Sequence, residues 1–153
     1  MSRFLLDTHI LEWAFDPSHV YHQPCLENLS RILDDDEIFV HILTIYEFEY
    51  SLANTTPLEY ELKERIHDTI HYIPNRFKIA QLSTSAASVF GNLKAGYKIL
   101  TGISPSNIIK HNFDLMIAST ALVLDACVVS NDNIFLRLNA LEPRLKTIDW
   151  TLH

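Results

Sequence analysis

Short continuous runs of apolar residues alternate along this chain with longer stretches in which apolar positions recur every three or four residues. The first kind reads as buried strands and the second as amphipathic helices. The pattern predicts a strand over Arg3–Leu6, a helix from Thr8 to about Phe15 that stops before Pro17, and a helix over about Pro24–Leu33. The acidic run Asp34-Asp35-Asp36-Glu37 reads as a solvated turn before a second strand, Ile38–Ile42. Helices follow from Thr44 to about Leu52 and from Pro57 to about His71. A short third strand, Phe77–Ala80, precedes a long helix that Ser83 opens and that runs to about Ile99. Gly102 and Pro105 mark residues 101–112 as a loop. A helix over Asp114–Leu124, a buried strand over Ala126–Val129, a short helix over Asn133–Leu138 and a last strand over Lys146–Trp150 complete the order. Strands alternating with helices imply a parallel sheet covered on both faces. Sites in such sheets lie outside the carboxyl ends of the strands, where the strand order reverses.

That rule directs attention to four acids. Asp7 follows the first strand, Glu47 lies just after the second in HILTIYEFEYSL, Asp114 opens a helix in HNFDLMIASTAL, and Asp132 follows the fourth strand in ACVVSNDNIFLRL. Each also has a purely local reading. Asp7 or Thr8 can cap the first helix, Thr44 and Glu47 have the spacing of a capping box, Asp114 suits the positive end of its helix, and Asp132 can cap the helix after it. Capping gives no reason for the four to converge, whereas a parallel sheet brings these edges together. Clustered carboxylates repel one another unless a cation lies among them, and hard oxygen donors favour Mg²⁺ or Mn²⁺ over zinc. Glu12, on the helix after Asp7, is a candidate for the rim of such a pocket; Glu49 points away from Glu47.

Composition narrows the classes. The 153 residues are 48% hydrophobic and 20% charged, which suits one domain (1–153) able to bury a core without staples. No apolar stretch approaches the ~20 residues that span a bilayer, and no signal peptide opens the chain. Cys25 and Cys127 lie far apart and read as free thiols in a cytoplasmic protein. With three glycines in all, the chain has no phosphate-binding loop and no nucleophile elbow, which excludes dinucleotide binding, P-loop hydrolysis and α/β-hydrolase chemistry. The net charge of −7 is the wrong sign for holding nucleic acid by charge alone, so any such role needs bound cations or a partner.

The motifs LLDTHILEW, LTIYEFEYSL, FDLMIASTAL and VVSNDNIFLRL, in this order and followed by a strand ending in Trp150, resemble the PIN-domain ribonucleases, specifically the VapC-type toxins of toxin–antitoxin systems. The resemblance covers nearly the whole chain. It implies a three-layer α/β/α fold with a five-stranded parallel sheet of order 3-2-1-4-5. It also implies an acidic Mg²⁺ pocket formed by Asp7, Glu47, Asp114 and Asp132, with Ser130, Thr8 and Asn131 supporting it. The implied activity is endonucleolytic cleavage of RNA in single-stranded or structured loops, a tRNA anticodon loop being one example. The implied partners are a cognate antitoxin and a second copy of the chain. Lys94, Lys98 and Lys110 are candidates for part of a basic surface. Three departures stand out: His9 where many relatives have Asn, Asp125 where Gly or Asn is common, and a long insert around Gly102–His111.

Rival readings are weaker. A haloacid-dehalogenase-type phosphatase needs a second Asp two residues after the first, and position 9 is His. His67 and His71 share a helical face at zinc-binding spacing, but no third ligand is evident and Asp68 is short for a general base. A PIN-like domain that binds RNA or protein without cutting, or a processing nuclease that is not a toxin, remain the alternatives.

Overall fold

Successive side chains of a strand face opposite ways, so Leu5 and Leu6 must enter different apolar layers. Leu5 is buried in one and Leu6 in the other, on either side of a five-stranded sheet. The structure, a computed structural model, describes residues 1–152. Its strands are β1 (Arg3–Leu6), β2 (Glu37–His41), β3 (Lys78–Ala80), β4 (Cys127–Val129) and β5 (Lys146–Ile148), all paired in parallel in the order β3-β2-β1-β4-β5. Leu6 pairs with both Val40 and Val129, so the three central strands end level at one edge. The order reverses between β1 and β4, which makes that edge the place for a site.

Helices α1 (Thr8–Phe15), α2 (His22–Ser30), α3 (Ile42–Ala53) and α4 (Tyr60–Arg76) cover the Leu6 face, where Ile10, Leu11, Cys25, Phe48, Ile73 and Trp150 are buried. Helices α5 (Thr84–Thr101), α6 (Pro105–Ile108), α7 (Asn112–Leu124) and α8 (Asn133–Leu141) cover the Leu5 face over Tyr97, Leu115, Ala118, Phe135 and Leu138. The expected three-layer α/β/α architecture is therefore the observed one.

Three segments differ from the sequence reading. Residues 101–112 are not a plain loop: they hold α6 and a 3₁₀ turn, Ile109–His111. Gly102, at φ +66°, ends α5 in the left-handed conformation that favours glycine, and Pro105 begins α6 under a Ser104 cap. Both residues thus punctuate helices. Pro57 does not start α4, because residues 56–59 are held as a turn in which the Thr56 N–H donates to Glu59 Oε2 at 2.8 Å. The helix instead begins at Tyr60 and runs on to Arg76, with Pro74 tolerated in its last turn.

Close packing of α5 on α8 passes through Gly96, where an added Cβ would lie 2.8 Å from Leu141 Cδ2. Gly96→Val is expected to lower stability by about 1 kcal/mol, the low end of overpacking, because the half-buried Leu141 side chain can turn aside. A urea unfolding midpoint unchanged from the parent would refute this.

Candidate acidic site

The edge formed by β1 and β4 is built by hydrogen bonds that tie two acids to one serine. Asp7 follows β1 directly and caps α1; its Oδ1 accepts the Thr8 N–H at 2.8 Å, and its own N–H donates to the Val129 carbonyl at 3.0 Å. Its Oδ2 accepts the Ser130 hydroxyl at 2.7 Å. The same Ser130 oxygen accepts the Asp132 N–H at 3.1 Å, while the Ser130 N–H donates to Ile148 at 3.0 Å. Asp132 caps α8 by accepting the Ile134 N–H at 3.0 Å. The capping readings of Asp7 and Asp132 are therefore correct as local statements, and the caps are what hold both carboxylates at the sheet edge. Asn131, between them, is exposed.

Asp114 arrives from α7, where it is the third residue and suits the positive end of the helix. Lys94 of α5 donates to the Asn112 side chain at 2.9 Å, which holds one cation near this helix start. Lys98 and Lys110 are exposed.

Glu47 is positioned differently from the expectation. The Thr44–Glu47 capping box does not form, because α3 begins two residues earlier under a cap from His41, whose Nδ1 accepts the Leu43 N–H at 3.1 Å. Glu47 consequently lies in the second turn. Thr44 is buried, and its hydroxyl meets that of Thr8 at 3.0 Å, joining the start of α1 to α3. Because His41 Nδ1 is an acceptor, the neutral ring carries its proton on Nε2, which donates to Thr120 Oγ1 of α7 at 3.0 Å. Burial drives the pKa of His41 down to about 4, so the ring stays neutral. This strut between α3 and α7 had no sequence signal, since N-caps are sought among Ser, Thr, Asp and Asn.

Electrostatics show which acids share one environment. Burial, then the neighbouring charges of Asp7 and Asp132, push Asp114 up to about 7. Asp7 is also raised, mainly by burial and in part by Asp132, against the lowering effect of its hydrogen bonds to Ser130 and Thr8. Glu12 is raised by burial and by Asp7 and Glu47, and so bridges the Asp7 group to Glu47. The candidate at the rim thus belongs to the acidic face. His9 acts in the opposite sense on Asp7, Glu12 and Asp114. As the side chains stand, no three His, Cys, Asp or Glu among the described residues are grouped as a metal-binding set. The His67–His71 pair, with rings 4.3 Å apart on exposed helix, gains no third partner.

A cleft of about 390 Å³ opens beside this face between α1, α3 and α4, lined among others by Glu12, Trp13, Phe48, Tyr50 and an Asp16–Arg65 ion pair of 3.5 Å. The two cysteines are free; Cys25 is fully buried, which pushes its thiol up to about 11, and Cys127 is half-buried. Among the described residues, no helix is long and apolar enough to cross a membrane.

The sequence profile of the PIN domain matches residues 4–141. The chain belongs to the PIN-domain family. No curated protein matches it in sequence. Among solved structures, this PIN domain is similar to a chain of VapBC2 from Rickettsia felis, determined bound to a DNA fragment from its promoter, with a TM-score of 0.73 at 22% identity over 97% of this chain and 98% of that one. It is similar to a chain of VapBC-1 from nontypeable Haemophilus influenzae, with a TM-score of 0.71 at 19% identity over 97% and 98%. It also resembles VapBC-5 from Mycobacterium tuberculosis, described as a member of the VapBC family of toxin–antitoxin systems, with a TM-score of 0.64 at 15% identity over 97% and 98%. At these identities the likeness is one of fold.

Within the PIN domain, the Ser130 hydroxyl bonds to both Asp7 and the backbone of Asp132. Ser130→Ala removes both contacts at once and is expected to lower stability by about 1–3 kcal/mol. A urea unfolding midpoint equal to the parent's would show that neither contact holds the edge together.

Proposed function

We propose that the chain is a divalent-metal-dependent endoribonuclease acting as the toxin of a toxin–antitoxin pair, and that residues 1–153 are a single PIN domain. The observation that carries the reading is the Ser130 hydroxyl that ties Asp7 to the backbone of Asp132, with Asp114 pushed up by burial and by both of those acids, at the edge where the strand order reverses. Two carboxyls, Asp7 and Asp114, kept near Asp132 at a cost in their own ionisation suit a cation. The donors are oxygens only, which fits Mg²⁺ or Mn²⁺. Asp7 and Asp114 would hold the ion directly, with Asp132 and Glu47 completing the pocket directly or through water. When bound, such an ion lowers the pKa of a water molecule and offsets charge on the phosphate under attack.

The protein's own residues do the rest. Ser130 fixes Asp7 and the start of α8 in one frame. The Thr8–Thr44 and His41–Thr120 contacts fix α1, α3 and α7 relative to one another, so the carboxylates approach a phosphate from three sides. Because the pocket lies among helix starts, a single strand reaches it more readily than a paired helix, which favours loops and unpaired segments as substrates. Resemblance supports an antitoxin that covers this face and a homodimer. Exposed Val20, Leu26, Tyr46, Tyr50 and Leu58 on or beside α1–α4 offer apolar surface for such partners.

The test is cleavage of total cellular RNA by purified protein with end mapping. Cuts confined to a few loop positions, present with Mg²⁺ or Mn²⁺ and abolished by excess EDTA, are expected. Undiminished cleavage in EDTA would overturn the metal assignment, and uniform degradation of paired and unpaired RNA would replace the toxin with a general processing nuclease. An intact protein that binds RNA but cuts none with any divalent ion would favour the non-cleaving alternative.

A further inference from the structure

The position where this chain departs from the usual Asn of its motif heads a column of aromatic rings. His9 and Trp13 are four residues apart on α1 and so share a face. Their rings stack at 5.7 Å between centroids and 15° between planes. Trp13 stacks in turn on His19 at 5.0 Å and 11°. Tyr21 packs against both, at 5.0 Å from Trp13 and 5.5 Å from His19.

The lower part of the column is fixed by hydrogen bonds. His19 Nδ1 accepts the Tyr21 N–H at 3.1 Å, and His22 Nδ1 lies 3.1 Å from the Trp13 carbonyl oxygen. Asp16 holds the turn that brings His19 back, accepting from the Ser18 N–H at 3.0 Å while its own carbonyl accepts the His19 N–H at 3.0 Å. The upper end is different. The His9 side chain is 61% exposed, its Nε2 is 4.0 Å from Glu12, and no hydrogen bond to it forms among the described residues. It is nonetheless close enough to Asp7 and Asp114 to influence both carboxyls. The near-parallel rings thus end in a largely exposed imidazole two residues from Asp7.

We propose that His9, backed by Trp13 and His19, is the platform on which an unpaired RNA base stacks when its neighbouring phosphate sits at the Asp7–Asp114 edge. His9 lies two residues after the Asp7 cap, in the first turn of α1, so a nucleotide whose phosphate sits at that edge can present its base to the ring. Stacking on an aromatic face is how proteins hold splayed single-stranded bases without groove readout. It also gives an acidic protein an attraction for RNA that does not depend on positive charge. The proposal rests on the ribonuclease reading for its ligand but not on catalysis.

The experiment uses a short single-stranded RNA carrying 2-aminopurine at one central position, bound in Mg²⁺ to an Asp114→Asn protein that does not cut it. The fluorescence of 2-aminopurine falls when the base stacks. His9→Ala in that background is expected to abolish the quenching and weaken binding about tenfold, within the roughly 5- to 150-fold that one stacked base contributes. His9→Phe, which keeps the ring face and loses the nitrogens, is expected to retain quenching and bind within about threefold of the parent. Equal loss in His9→Phe and His9→Ala, unaltered binding in His9→Ala, or no binding of the strand by the parent would each overturn the proposal. Cleavage by the otherwise unchanged protein is assayed separately. His9-dependent quenching without any cleavage would leave the platform and remove the nuclease, and cleavage with His9-independent binding would do the reverse.

Discussion

Asp7→Asn is expected to abolish RNA cleavage in a protein that remains folded and, without metal, melts no lower than its parent. The cap on α1 survives the change, because Asn caps a helix about as well as Asp. The amide has one oxygen where the carboxylate has two, so with that oxygen on the Thr8 N–H its NH₂ faces Ser130 and donates to the hydroxyl oxygen, which keeps the link across β1 and β4 with the bond reversed. What disappears is a negative charge on a carboxyl that is 6% exposed and already held above its usual pKa by burial. Loss of a direct metal ligand should exceed the ~10- to 100-fold effect of an outer-shell change. Single-turnover cleavage and a thermal melt in EDTA, run side by side, are the measurements. An active Asp7→Asn protein would return the residue to a purely capping role, and an unfolded one would show that the charge, not the cap, organises α1.

The second large effect concerns pH. Asp114 has a folded pKa near 7 against an ordinary 3.8. Between about pH 4 and 7 the folded protein therefore holds more protons than the unfolded chain, and stability must fall as pH rises through that window. The contribution is complete below the lower value and lost above the upper one. Its upper bound is about 4 kcal/mol, reduced in practice because the side chain is 24% exposed. In EDTA the melting temperature is expected to decline from pH 5 to pH 7.5. A saturating divalent ion, which binds the ionised carboxylates, should reverse the decline, by roughly 2.7 kcal/mol at a hundred times its dissociation constant. Asp114→Asn should flatten the EDTA profile. A wild-type profile that is already flat in EDTA would show that the acids do not share one field.

How far the sequence led depended on the range of the forces involved. Strands such as Phe4-Leu5-Leu6 are legible because a two-sided burial requires unbroken apolar residues, and the approach of Asp7 to the start of α8 is legible because β1 and β4 are parallel neighbours that end level. The His41 cap was hidden, since it works through a ring nitrogen and a hydroxyl 79 positions away. The Thr44–Glu47 box is a fair local inference that the nearer His41 cap displaces. Gly102 and Pro105 suggest a loop, although each equally marks a helix boundary. The stack beneath His9 needed the turn after Asp16, whose geometry no periodicity reveals. Glu12 lay in plain view, but only the fold shows that it joins Asp7 to Glu47.

The Ser130 hydroxyl joins residues 123 positions apart. β1 is the first strand to be made and gains its neighbour β4 only after more than a hundred further residues. At roughly 5–20 residues per second, synthesis leaves the first acid without its serine for some 6–24 s. During that interval the nascent chain has β1 and β2 but no second wall for the pocket. The proposed pocket therefore lacks its second wall until Ser130, residue 130 of 153, has been made. For a protein that would cut RNA, the order of its own synthesis acts as a safety delay, and a partner needs only to be ready when β4 closes the sheet.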